Sequence, residues 1–158
     1  MTPAGLPPSQ PPHPELLTAK ITSLLFRIWR TQWNGIPIKH YVFELAEDLE
    51  CAVLNNLDWT EVPSVIVKVN STFDPYVDFL RGDPFKGGLG PALPAGARYH
   101  YRVKAVNIAG QESVYSNFFR WDIAQTGVIE QYVFFFYVIF FFFRPLTSPR
   151  FSSSSSSF

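Results

Sequence analysis

The stretch Leu93-Pro94-Ala95-Gly96-Ala97-Arg98-Tyr99-His100-Tyr101-Arg102-Val103-Lys104-Ala105-Val106-Asn107 constrains this chain more than any other. A Pro/Gly turn runs straight into a strand. Side chains alternate along a strand, so Tyr99, Tyr101, Val103 and Ala105 share an apolar face while His100, Arg102 and Lys104 take the wet one. A second alternation sets Leu24, Phe26 and Ile28 against Leu25, Arg27 and Trp29. A third sets Tyr41, Phe43 and Leu45 inward against His40, Val42 and Glu44. The chain is read as all-β.

The spacing of Leu93, Pro94, Gly96 and Tyr99, with inward positions every second residue beyond, resembles the sixth strand of a fibronectin type III domain. In that family a Leu, a Pro-Gly turn and a Tyr form a tyrosine corner that fixes how the chain crosses between two sheets. Trp33-Asn34-Gly35-Ile36-Pro37-Ile38 resembles the family's turn between second and third strands, where Asn-Gly supplies positive φ. Asp58-Trp59-Thr60-Glu61-Val62 resembles the short Trp-bearing strand that follows. The resemblance covers about residues 14–121 and implies a seven-stranded immunoglobulin-like β-sandwich over 14–122. It further implies a non-catalytic protein-interaction or spacer module of a larger modular protein, with no cofactor. In the family a Trp in the second strand points into the core. Here Trp29 has the wrong parity, so the expectation is a bulge that turns it inward, the alternative being that Ile28 fills the place. A corner tyrosine also implies a bonded Tyr99 hydroxyl, and wet-face Arg102 is expected to matter little for stability.

Net charge is zero, so no excess of cations marks a nucleic-acid binder. A single cysteine, Cys51, excludes an internal disulfide. Residues 1–13 are a Pro-rich, disordered linker, expected to stay extended without packing. Within this lead-in Pro8-Ser9-Gln10-Pro11 and Pro11-Pro12-His13-Pro14 match the minimal polyproline ligand spacing. No basic region precedes an apolar run there, so no signal peptide is expected. Between Trp59 and Tyr99 the gap is long for the family. It holds two strand-like runs, 65–69 and 76–80, of which one should be the fifth strand, and a Gly/Pro-rich inserted loop at 81–92. The last strand should start at 113–117 and end near Trp121-Asp122.

Composition changes abruptly after that. Residues 132–143 (YVFFFYVIFFFF) are unbroken apolar, shorter than the roughly 20 residues a helix needs to span a bilayer. A hydrophobic segment at 123–143 reaches that length by including Gln125, Glu130 and Gln131. One reading makes it a membrane anchor, which would place the protein at a membrane. Another makes the tail a read-through of pyrimidine-rich nucleic acid, since Phe, Ser, Leu and Pro share such codons. Residues 144–158 read as a disordered Ser-rich tail. Alternatives to the plain module are therefore a single-pass membrane-anchored protein and an accessory module of a secreted enzyme.

The candidate binding face is Val42, Glu44, Arg102 and Lys104, a mixed strip on the wet side of the third and sixth strands. Its partner would be a protein. If those strands run antiparallel, His40 lies near Lys104 and Glu44 near His100, so the two histidines cannot share a metal. Arg81-Gly82-Asp83 is a weak adhesion motif that requires an exposed loop tip, the alternative being an ordinary polar turn. Asn70-Ser71-Thr72 is a glycosylation sequon or simply a polar turn. Glu47, Asp48 and Glu50 read as a solvated acidic loop, and Gly87-Gly88-Leu89-Gly90 lacks the Lys-Ser/Thr of a phosphate loop. No catalytic constellation is found.

Overall fold

Alternation of apolar and polar side chains drives strand after strand into two facing sheets. The computed structural model describes residues 5–48, 59–117 and 123–127. Among these the strands are β1 (Glu15–Ala19), β2 (Ser23–Trp29), β3 (Ile38–Glu47), β4 (Ser64–Lys68), β5 (Tyr76–Gly82), β6 (Arg98–Asn107) and β7 (Ala124–Gln125). One sheet has the order β1-β2-β5 and the other β4-β3-β6-β7, with every pairing antiparallel. The inward faces meet in one core. Leu24, Phe26 and Ile28 of β2 oppose Tyr41, Phe43 and Leu45 of β3, with Tyr101, Val103 and Ala105 of β6 beside them. Phe26 and Phe43 lie 4.8 Å apart by ring centroid, and Phe43 meets Phe79 edge-on at 4.8 Å. Such offset and edge-to-face pairs add to the burial that drives the fold.

The third strand behaves as its alternation predicts, and the Asn34-Gly35 turn has the expected positive φ at both residues, 55° and 92°. Trp29 does not turn inward. β2 pairs with β5 without a break from Ser23↔Gly82 to Trp29↔Tyr76, so parity is kept and Ile28 takes the core place. Trp29 lies on the outer face, 39% exposed, where its indole N–H donates to Glu15 at 3.1 Å. The bulge falls instead in β1, between Leu16 and Thr18. Both middle runs are strands: Val65–Val67 lie in β4 against β3, and Val77–Phe79 lie in β5 against β2. The Trp59 run is a turn closed by Val62 N–H to Trp59 C=O at 3.3 Å, and β4 begins after it.

Two segments extend the sandwich beyond 14–122, and a third within it lies along β6. Residues 5–14 run extended, as expected, but they pack: Ser9 N–H donates to Gln32 C=O at 3.0 Å, and Pro8, Pro11 and Pro14 are buried. Residues 113–116 flank β6 without forming a regular strand. Ser113 and Ser116 donate their N–H groups to Ala105 and Val103 C=O, and their hydroxyls accept Ala105 and Val103 N–H at 2.8 and 3.0 Å. The strand at this edge of β6 is β7, where Ala124 is fully buried opposite Tyr99. Residues 123–127 are thus committed to the sandwich and are not available to a membrane span. No helix among the described residues is long and apolar enough to cross a membrane. Cys51, Glu50, Asp58, Trp121, Asp122 and residues 128–158 lie outside the described residues.

Candidate binding face

The β3–β6 register brings the four expected residues together as two cross-strand pairs, Val42↔Lys104 and Glu44↔Arg102. His40 faces Val106 and Ala46 faces His100, a shift of two residues from the register expected for the histidines. The face is outward, but it is not a solvated strip. Glu44 is 7% exposed. Arg102 Nε donates to Glu44 Oε2 at 2.7 Å, and the Tyr115 hydroxyl donates to Glu44 Oε1 at 2.6 Å, so each carboxylate oxygen has a donor. The Arg102 guanidinium lies 3.7 Å from the Tyr115 ring centroid and 4.2 Å from that of Trp59. Lys104 Nζ sits 5.0 Å from the Tyr115 centroid and donates to Glu112 at 2.9 Å.

The result is a lattice of alternating cations and aromatic rings anchored on one buried carboxylate. The 113–116 segment makes it possible, because the serine hydroxyls hold that segment against β6 and so place Tyr115 between Arg102 and Lys104. Burial raises the Tyr115 phenol above its ordinary pKa, and the Glu44 carboxylate that accepts its proton raises it further. The Glu112 carboxylate holds Lys104 above its ordinary range. Beside the lattice, Ile66 of β4 faces Val42 and is 55% exposed. The row Ile66–Val42–Lys104 therefore crosses three strands as an apolar stripe ending in a cation. Sequence reading missed Trp59, Ile66 and Tyr115. The alternation Val65-Ile66-Val67 was the signal available for Ile66.

His100 was assigned to the wet face but is 1% exposed, because Asp48 folds over it. Asp48 N–H donates to Arg98 C=O at 2.7 Å, and its carboxylate lies 3.8 Å from both His100 Nε2 and Arg98 Nη2. Asp48 is thus buried and is no part of a solvated acidic loop. Burial pushes the His100 imidazole below its ordinary pKa, Arg98 adds to this and Asp48 opposes it.

Arg81 is not at a loop tip. It lies in β5 opposite Leu24, 3% exposed, with Nη1 donating to the carbonyls of Leu89 and Pro91, each at 3.2 Å. Gly82 has φ 91°, and a Cβ there would sit 2.6 Å from the Thr22 carbonyl oxygen, so the tripeptide is shaped by packing. Asp83 opens a single 3-10 turn, Pro84–Lys86. The exposure that adhesion requires is missing at the arginine. Asn70 is exposed, at the rim of an open groove of about 170 Å³ bordered by Tyr41 and Tyr76.

In the corner, Leu93 is buried and donates its N–H to Thr22 C=O at 2.8 Å, Pro94 precedes the turn, and Gly96 has φ 74°. The Tyr99 ring is buried, but its hydroxyl has no hydrogen-bond partner among the described residues. Thr126 closes the corner instead: its hydroxyl donates to Pro94 C=O at 2.6 Å and accepts Ala97 N–H at 2.9 Å.

An antiparallel sandwich with β1-β2-β5 facing β4-β3-β6-β7 has the strand arrangement of the fibronectin type III fold. No protein-family model matches the sequence, and no curated protein matches it. Among solved structures, the chain is similar to the fibronectin type III domain of human fibronectin type III domain containing protein 3, at 20% identity and TM-score 0.47, covering 82% of this chain and 94% of that one. It is also similar to the third fibronectin III domain of human KIAA0343 protein, at 13% identity and TM-score 0.48, covering 82% and 90%. A third is the FN5 domain of Drosophila Lar, at 14% identity and TM-score 0.42, covering 77% and 98%.

Proposed function

We propose that this chain is a non-catalytic protein-interaction module that binds a protein partner through the outer face of β3, β4 and β6. The observation that carries the reading is the pre-ordered lattice of Glu44, Arg102, Tyr115 and Trp59 beside exposed Ile66 and its half-buried cross-strand neighbour Val42. Arg, Tyr and Trp dominate binding hot spots because they offer large contact area with a polar handle. Their ordering entropy normally opposes association at about 0.5–1.5 kcal/mol per side chain, and here it is already spent in the free protein. The lattice also satisfies its own charges, so a partner meets an apolar stripe with a polar rim and not an unpaired ion.

A photo-crosslinker at position 66 of the full chain identifies the partner, and calorimetry then measures its affinity for the unmodified chain, Ile66→Lys and Arg102→Ala. Each substitution should weaken binding by about tenfold or more. Unchanged affinity in both variants would show that the face is not the binding surface.

A further inference from the structure

The lead-in has a period. Pro8, Pro11 and Pro14 are buried while the residues between them are exposed or half-buried, and Gly5, three residues earlier, lies against Ile36, where an added Cβ would collide with Cδ1. Burial every third residue is the repeat of a polyproline II helix, which has three residues per turn and no internal hydrogen bonds. A segment of that kind must find donors for its carbonyls elsewhere, and this one finds them on the sandwich. Gln111 Nε2 donates to Gly5 C=O at 2.8 Å, Asn34 Nδ2 to Pro7 C=O at 2.8 Å and Thr31 Oγ1 to Ser9 C=O at 2.8 Å. The three acceptors are alternate residues, and the donors come from the segments that follow β2 and β6 and from the turn before β3. In the other direction, Gln10 Nε2 donates to Tyr115 C=O at 2.7 Å, His13 Nδ1 meets Asn117 C=O at 2.7 Å, and the His13 ring packs on Tyr101 at 4.6 Å.

Folded domains take up proline-rich ligands in grooves as preformed, low-entropy polyproline II helices, and here side-chain donors to the Gly5, Pro7 and Ser9 carbonyls fix such a segment in place. We propose that this flank of the sandwich, bounded by Thr31, Asn34, Gln111 and the 115–117 segment, is a binding groove for polyproline II segments. The chain's own residues 5–14 fill it here, and a proline-rich segment of another protein, with proline at every third position, can replace them. The proposal rests on the reading of the chain as an interaction module, but it shares with the β3–β4–β6 face only Tyr115, whose backbone carbonyl serves the groove while its ring and hydroxyl serve the lattice. A tethered occupant competes at high effective concentration, so the groove is self-blocked until the lead-in is drawn away.

The test uses the full chain, kept in solution with mild detergent, with residues 5–14 replaced by a Gly/Ser stretch of equal length. The probe is a fluorescein-labelled peptide of sequence GLPPSQPPHP, followed by anisotropy. It should bind the emptied chain saturably and the unmodified chain at least about tenfold more weakly. A peptide carrying Pro8→Ala and Pro11→Ala should also bind the emptied chain at least about tenfold more weakly. Ile66→Lys in the emptied chain should leave peptide binding unchanged, so failure of this proposal and failure of the proposed function are separable. No binding to the emptied chain, or equal binding of the two peptides, overturns the proposal. Should the emptied chain not fold, amide exchange at Ser9 decides. Its N–H should be protected in the unmodified chain and exchange at least about tenfold faster in Thr31→Val/Asn34→Ala. Exchange at the unprotected rate in the unmodified chain overturns the proposal equally.

Discussion

Replacing Arg102 by alanine removes three contacts at once and leaves Glu44 buried with Tyr115 as its remaining donor. The charge-assisted bond to Glu44 is worth about 1.5–3 kcal/mol net. Each cation–aromatic contact at a partly exposed site adds about 0.5–1 kcal/mol. The Arg102 side chain keeps 19% of its surface open to water, and screening there argues for the lower part of these ranges. The expected cost is about 2–3 kcal/mol, or about 8–12 °C in Tm for a domain of this size. Denaturant unfolding of residues 5–127 should show the loss as a lower midpoint at unchanged slope. The double variant Arg102→Ala/Glu44→Ala should cost less than its single variants combined, with a coupling of about 1–2 kcal/mol, because no uncompensated carboxylate remains. Arg102→Lys should recover only part, since an ammonium neither forks nor stacks as a guanidinium does. A loss of about 0.5 kcal/mol or less, the size expected of a solvated surface residue, would refute the lattice.

Tyr99→Phe removes a buried hydroxyl that has no partner among the described residues, so it should be neutral or stabilising, by up to about 1 kcal/mol in the same unfolding assay; a loss above about 1 kcal/mol would reveal a bond to that oxygen. Burial holds His40 and His100 below the ordinary histidine pKa. The unfolded chain therefore takes up these protons first as pH falls through about 6.5, and stability should be flat above that value and decline below it. Melting curves between pH 8 and pH 5 check this, and a rise in stability on acidification contradicts it. Residues 5–127 should fold cooperatively and stay monomeric. Residues 12–122, lacking the lead-in contacts and β7, should melt well below them in calorimetry, and the full chain without detergent should aggregate through 132–143. Equal melting temperatures would mean that neither extension belongs to the sandwich.

The sequence made the core legible because strand alternation records which side is buried. Leu24, Phe26, Ile28, Tyr41, Phe43, Leu45, Tyr101, Val103 and Ala105 all lie where period two places them. The same rule explains Trp29, whose parity was the better guide than its size. What period two cannot show is what lies over an outward residue. Glu44, Arg102 and His100 occupy the wet side of their strands, and segments elsewhere in the chain cover them: Tyr115 and Trp59 over the first two, Asp48 over the third. Those contacts join residues about 10–70 positions apart through loops without a sequence period. The lead-in misled for a related reason. Proline-rich composition indicates an extended backbone, and extension was read as freedom, whereas donors such as Asn34 and Gln111 are scattered along the chain and declare their role only once folded.

Binding through this face depends on the Glu44–Arg102–Tyr115 lattice being ordered before any partner arrives. The most direct measurement is ¹⁵N relaxation at Arg102 Nε in the free protein. Held between two rings with its N–H on a buried carboxylate, that bond should show an order parameter near the rigid-backbone value of about 0.85. A value below about 0.6, the mark of a side chain moving freely on the picosecond-to-nanosecond timescale, would contradict it.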